Sequence, residues 1–383
     1  MKTEHKSHEL EYFTQRWPFQ AHYLIWGASN TAKYFFDCFN ERLFIDGFID
    51  SDPQKWGMEF YEKPVFSWEE CKKAFPNHKI IVASLAYPEI RMVLREQGLK
   101  ELEDFCDSRY FLSAHAVTSE NKLYLARTDL SVTEYCNLRC KNCNMLMPYF
   151  KHPKHRNLDL LKEDIDAYFN WVDQVQVFTL LGGEPFLYPN ILELTQYLCE
   201  NYGSRIHQVV FFSNGTLIPS DELLELMREY DIEVQVSDYR KGLPHLAEKV
   251  DCFQDVLRAY GIRFRHGVDE QWISFGFPDY QRPSDWKGDP ISFFDECYAP
   301  FRGLYQKKLY YCHLEASAEA AGLFTPSVYD YFDLSHPEEK RKVELAEFDL
   351  GYTETGDISY CKRCKGCFSV NQDYVPVAEQ QER

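Results

Sequence analysis

Three cysteines fall within eight residues of the 383-residue chain, at Cys136, Cys140 and Cys143 in the stretch TEYCNLRCKNCNML. A second set, Cys297, Cys312, Cys361, Cys364 and Cys367, ends in CKRCKGC. The chain opens on the polar stretch MKTEHKSHELEYFTQRW and not on a secretory leader, which points to the cytoplasm. Thiols stay reduced there, so metal ligation is the leading use for many of the thirteen cysteines. A zinc site normally takes four ligands, and the three-cysteine loop has no fourth close by. A four-iron cluster held by three thiolates leaves one iron free for an outside ligand. On spacing alone the second set suits zinc and an iron-sulfur cluster equally.

Composition narrows the partners. The chain is 45% hydrophobic and 16% aromatic, enough for two or three domains with their own cores. No apolar run approaches the roughly 18 residues of a membrane span. A net charge of −18 argues against a phosphate-backbone footprint, so neither nucleic acid nor membrane is expected. A small-molecule or peptide substrate remains.

The elements that would position these residues alternate. In the N-terminal part HYLIWGASNTAKYFFDCF reads as strand, turn and helix, LFIDGFIDSD as a second strand, and KIIVASL as a third, which predicts a doubly wound parallel sheet. Its turn, Gly27 to Ala32, is a degenerate dinucleotide fingerprint, with Asp50 placed 23 residues on to meet a ribose hydroxyl. The alternative is a Rossmann-like module without a nucleotide. From Leu123 to His266 a second alternation carries strands LYLARTDLSV, VQVFTLL, QVVFFS, IEVQVSD and IRFRHG. Between the first two, Leu161, Ile165, Phe169 and Val172 form one apolar helical stripe. The first four strands end in the cysteine loop, in Gly182-Gly183-Glu184-Pro185, in Ser213-Asn214-Gly215-Thr216 and in Ser237-Asp238. In a βα barrel these ends share one face, where chemistry is done. The remainder is irregular and aromatic, and DYVPVAEQQER reads as a polar tail.

With CNLRCKNC, GGEP and this strand order together, the stretch from Leu123 to His266 resembles the radical S-adenosylmethionine superfamily. The resemblance implies a 4Fe-4S cluster on Cys136, Cys140 and Cys143, with S-adenosylmethionine chelating the open iron. It also implies cofactor contacts from Gly182, Gly183, Glu184, Ser213 and Asn214, and from Ser237 or Asp238 toward the ribose. The family often has an aromatic residue before the third cysteine; here it is Asn142. The C-terminal set resembles the SPASM or twitch extension, which implies one auxiliary 4Fe-4S cluster with five candidate thiols, Cys297, Cys312, Cys361, Cys364 and Cys367. The usual glycine before the hairpin cysteine falls on Lys307.

The fold expected is therefore α/β: a Rossmann-like parallel sheet over residues 1–117, a partial (β/α)6 TIM-type barrel over 118–285, and a small irregular cysteine-rich iron-sulfur domain over 286–383. The N-terminal stretch, through IWGASNTAKY, FIDSDPQKWG and IIVAS, also resembles domains of sugar acyltransferases and surface-glycan enzymes. A saccharide or nucleotide-linked substrate is the expectation, dehydrogenated or epimerised after hydrogen abstraction. A peptide maturase is the alternative, and a non-catalytic zinc-stabilised binding protein the alternative from another class. The family implies an electron donor such as flavodoxin or ferredoxin. His266, Asp238, Tyr239 and Arg240 are candidates to face the substrate, Cys252 is a candidate hydrogen donor, and no side chain is singled out as the catalytic group.

Overall fold

The computed structural model describes residues 7–39, 42–268, 271–299, 301–337 and 341–381. They form two compact units, one of residues 7–124 with Lys342–Leu350 and the other of the described residues within 125–341 and 351–381.

The N-terminal unit carries strands β1 (His22–Trp26), β2 (Phe44–Ile49), β3 (Glu59–Phe60), β4 (Lys63–Phe66), β5 (Lys79–Val82) and β6 (Phe105–Asp107). Their order is β3-β4-β2-β1-β5-β6, parallel except for the β3–β4 hairpin. β1 is a continuous apolar run buried on both faces, as the centre of a parallel sheet must be. Helices α1 (Ser7–Arg16), α2 (Asn30–Phe39), α3 (Trp68–Ala74), α4 (Tyr87–Glu96) and α5 (Ser108–Glu120) complete the unit, and the later helix Lys342–Asp349 packs on α1 and α5. The polar opening stretch thus continues into α1, with residues 1–6 outside those described.

The fingerprint turn is used internally. Gly27 has a φ of +117°, and a Cβ there would lie 2.5 Å from the Ala83 carbonyl oxygen, so the glycine answers to a neighbouring strand end. Asp50, expected at a ribose, accepts from the Ala28 N–H and from Lys55 Nζ through Oδ2 (2.9 and 2.8 Å) and from the Asp52 N–H through Oδ1 (2.9 Å). Both oxygens tie one turn to the next.

The second unit carries β7 (Tyr124–Thr133), β8 (Gln174–Gly182), β9 (Ile206–Ser213), β10 (Glu233–Asp238), β11 (Phe264–Val268), β12 (Gln271–Ile273), β13 (Arg302–Tyr305), β14 (Lys308–Tyr310), β15 (Tyr331–Asp333) and β16 (Tyr374–Pro376). The main sheet runs β11-β10-β9-β8-β7-β13-β14-β15. It is an open parallel array, a partial barrel in which β13 lies parallel against β7 and leads into an antiparallel hairpin. Helices α6 (Leu158–Phe169), α7 (Ile191–Tyr202), α8 (Asp221–Glu229) and α9 (Ala247–Ala259) connect the first five strands, and α10 (Pro290–Glu296) and α11 (His313–Ala320) flank the hairpin. The stripe Leu161, Ile165, Phe169 and Val172 is buried as its spacing predicts.

Two features correct or explain the sequence reading. The final stretch is not a free polar tail: β16 pairs antiparallel with β12, and Val377 and Ala378 are buried. Its main-chain donors and acceptors are taken up by other segments; residues 382–383 lie outside those described. The β13–β14 turn, where a glycine was missing, has Gln306 and Lys307 both left-handed, at φ +52° and +56°. The buried carboxylate of Asp164 accepts from both of their N–H groups, at 3.0 and 2.7 Å, and also pairs with Arg156 at 2.6 Å. A carboxylate clamp thereby offsets a backbone strain of about 1–2 kcal/mol per non-glycine residue. Lys307→Gly should raise the unfolding free energy of the full chain, and Asp164→Ala should lower it by about 3 kcal/mol through the unpaired Arg156; urea titration of the two variants checks both signs.

Candidate active site

β7 ends at Thr133, and the chain turns at once into the cysteine loop. The first strand end and the second are joined main chain to main chain: the Gly183 N–H donates to the Thr133 carbonyl and the Glu184 N–H to the Tyr135 carbonyl, each at 2.8 Å. A Cβ on Gly183 would sit 2.0 Å from the Tyr135 oxygen and 2.9 Å from the Cys136 nitrogen. Gly182, at φ +144°, would put one 2.5 Å from the Thr133 oxygen. Both glycines are therefore required by the loop that carries the first cysteine.

Glu184 is fully buried. Its Oε1 accepts from Ser213 Oγ at 2.9 Å and its Oε2 from the Asn214 N–H at 2.9 Å, so the second and third strand ends meet on one carboxyl. Burial pushes this carboxyl up from its ordinary 4.5 to about 7 against those donors. The Asn214 side chain accepts from the Thr216 N–H at 3.1 Å and donates to Asn137 Oδ1 at 2.9 Å, and Asn137 Nδ2 returns to Thr216 Oγ1 at 2.7 Å. The Asn214-Gly215-Thr216 stretch is thus a turn that reaches the cysteine loop, with Asn214 Nδ2 3.9 Å from Cys136 Sγ.

The three loop thiols are unbridged, and burial pushes Cys136 and Cys140 up to about 12 and raises Cys143. Cys136 and Cys143 pack against Met145, Met147 and Leu181, an apolar shell that limits water. The fourth strand end is arranged differently. Asp238 is buried, and both its oxygens are held by Arg240 Nε at 2.9 Å; Ser237 is half-buried beside it in the β10–β11 ladder. Arg240 also pairs with Asp251, and Tyr239 packs edge-on against Trp272. His266 is exposed, as is Cys252 on α9. The structure therefore links Gly182, Gly183, Glu184, Ser213 and Asn214 to the loop by hydrogen bonds or contact, and leaves Ser237 and Asp238 one strand over.

The second set also converges. Cys297, Cys312, Cys361, Cys364 and Cys367 all line one cavity of about 150 Å³ with Phe275, Phe294, Tyr311 and Tyr360. Cys297 Sγ and Cys367 Sγ are 3.7 Å apart. Burial raises the thiols of Cys312, to about 12, and of Cys361 and Cys364. Among the described residues no three His, Cys, Asp or Glu close around a single ion. A four-iron cluster asks instead for one thiolate at each of several irons. Unbridged thiols on a glycine-docked loop under apolar cover fit that group.

Two groups were not visible in the sequence reading. The lumen beside the loop holds Asp129, bonded to Arg127 at 2.8 Å and to His313 at 2.6 Å. Burial opposes its charge, but these two partners hold it down at about 2. Gln380 donates through Nε2 to Cys140 Sγ at 3.2 Å across 240 residues. No local pattern marks either group.

Comparison with known proteins supplies the class. Residues 130–272 match the family described as the radical SAM superfamily. That family implies a 4Fe-4S cluster and S-adenosylmethionine. The chain is 25% identical over 147 residues to the GTP 3',8-cyclase of Pasteurella multocida, covering 37% of this chain and 42% of that protein. It is 28% identical over 109 residues to the antilisterial bacteriocin subtilosin biosynthesis protein AlbA of Bacillus subtilis, covering 27% and 22%. It thus spans less than half the length of these relatives. Among solved structures, BtrN in complex with AdoMet and 2-DOIA is 14% identical, with a TM-score of 0.38 over 64% of this chain and 94% of that one. No helix among the described residues is long and apolar enough to cross a membrane.

Two outcomes follow. Gly183→Ala should leave the far-UV circular dichroism intact but lower reconstituted iron by about four per chain, because the loop can no longer dock. A carboxyl raised in the folded state loses stability as pH rises from its ordinary value through the raised one. Thermal unfolding of metal-free protein should therefore show wild type falling relative to Glu184→Gln between pH 4.5 and 7, by up to about 3 kcal/mol.

Proposed function

We propose that this chain is an enzyme that holds a 4Fe-4S cluster on Cys136, Cys140 and Cys143 and S-adenosylmethionine on the adjoining strand ends. The observation that carries the reading is the hydrogen-bonded junction of three strand ends, the Gly183 N–H on Thr133, the Glu184 N–H on Tyr135 and the Glu184 carboxyl on Ser213 and Asn214, directly beside the thiols. With the reduced cluster and its ligand bound, the chemistry supplied is cleavage of S-adenosylmethionine to methionine and a 5'-deoxyadenosyl radical that takes a hydrogen atom from substrate.

The chain's own residues bind, orient and exclude water. A cationic ammonium set against Glu184 would return its raised carboxyl to the charged form, which ties ligand binding to that one group. Ser213 and Asn214 keep it aimed, and Ser237 or Asp238 serves the ribose. Met145, Met147 and Leu181 exclude water from the loop. Four of the five thiols around the second cavity would hold one auxiliary 4Fe-4S cluster. On this reading residues 1–117 form a Rossmann-like domain, 118–285 the barrel and 286–383 the auxiliary cluster domain. An external one-electron donor such as flavodoxin or ferredoxin completes the cycle in a cytoplasmic setting.

For the substrate we favour a saccharide or nucleotide-linked molecule that is dehydrogenated or epimerised. The polar lining beside the cysteine loop, with Ser131, Glu134 and Ser317, is of a chemistry suited to hydroxyl groups, but the space there is about 20 Å³, so a sugar would have to enter by displacing side chains. A peptide is the second reading, favoured by the likeness to AlbA and by an open groove of about 590 Å³ between Tyr280, Trp286 and Asp373.

The test is anaerobic. Reconstituted protein with dithionite and S-adenosylmethionine should produce 5'-deoxyadenosine and carry about eight irons per chain. Cys140→Ala should abolish production. Stoichiometric zinc and no cleavage would sink the reading. Deuterium passing into 5'-deoxyadenosine from labelled nucleotide-sugars, but not from labelled peptides, separates the two substrate classes.

A further inference from the structure

The segment after β16 crosses the cysteine loop. The Lys141 N–H donates to the Glu379 carbonyl and the Gln381 N–H to the Arg139 carbonyl, both at 2.7 Å, so 379–381 pairs with 139–141 as a short antiparallel strand. Lys141 Nζ pairs with the Glu379 carboxylate at 2.7 Å. Upstream, Val377 passes so close to the loop after β10 that a Cβ on Gly242 would lie 2.2 Å from its carbonyl oxygen. The strap is therefore held on two sides by main chain.

Gln380 occupies its centre, and its amide has one orientation. The Arg139 N–H points at it from 2.8 Å and can only meet the carbonyl oxygen. The NH2 is then directed at the Ala378 carbonyl, 2.7 Å away, and at Cys140 Sγ, 3.2 Å away. Cys140 is itself buried, so water does not compete for the sulfur. Of the other two loop thiols, Cys136 is met by the Leu138 N–H at 3.4 Å and, at the longer distance of 3.9 Å, by Asn214 Nδ2, and Cys143 by backbone N–H groups of Met145, Leu146 and Met147.

Resting on the reading above, we propose that Gln380 is a positioning residue for the S-adenosylmethionine-binding cluster, and that its amide N–H on Cys140 sets the reduction potential of that cluster. A hydrogen bond to a ligating thiolate withdraws electron density and favours the more negative, reduced state. Removing it makes the cluster harder to reduce. The strap survives the substitution, since its main-chain bonds do not involve the Gln380 side chain.

The experiment is an anaerobic redox titration of reconstituted full-length protein, followed by electron paramagnetic resonance on the signal that S-adenosylmethionine perturbs. Gln380→Ala should move the midpoint to more negative potential with iron content unchanged. Gln380→Glu should move it further, because a carboxylate replaces the donor with charge. Wild-type midpoints in both variants at full iron content would overturn the proposal. So would loss of iron from the three-cysteine loop in both, which would make the contact a purely structural brace. If wild-type protein itself assembles no cluster that S-adenosylmethionine perturbs, the functional reading has failed and the inference falls with it.

Discussion

The active-site face is organised by one steric fact: the main chain at Tyr135 and Cys136 occupies the space where a side chain on Gly183 would be. That approach lets two N–H groups of the second strand end bond carbonyls of the first. It fixes where Glu184 points, and Glu184 in turn gathers Ser213 and Asn214 from the third. Three strand ends that are neighbours in the sheet become one rim, the first two joined by backbone contact and the third through the Glu184 carboxyl. A site built this way owes its geometry to covalent chain and short hydrogen bonds, which tolerate less displacement than side-chain packing alone.

The same compaction creates an electrostatic debt in the metal-free protein. The loop thiols and Glu184 all have their neutral forms favoured by burial. Groups of that kind become charged when a cation or metal arrives, so ligand binding and local order are coupled through protons. The second cysteine cavity follows the same logic, with five thiols drawn together under aromatic cover. Asp129 is the contrasting case, since the Arg127 charge and the His313 hydrogen bond already keep it ionised.

Carboxylates also do the work that glycine does elsewhere. Asp164 receives both N–H groups of a left-handed turn that carries glutamine and lysine. Asp50 receives two N–H groups and a lysine at the end of β2, which commits it to the turn. In each case an acidic side chain whose role from sequence was unassigned or assigned to a ligand is part of the backbone's own hydrogen bonding.

What the sequence determined by itself was local. Cysteine spacing, glycine pairs at strand ends, apolar runs and the helical stripe at Leu161, Ile165, Phe169 and Val172 act over a few residues, and the structure keeps those elements. The partnership of GGEP with the cysteine loop was also foreseeable, because βα order puts successive strand ends on one face. Only the tertiary structure decided that Gly183 answers to Tyr135, that Asp164 replaces a turn glycine, and that Gln380 lies on Cys140. Each of those contacts joins residues far apart in the chain, and nothing in composition or periodicity records which distant main-chain groups will be left needing a partner once the sheet has formed.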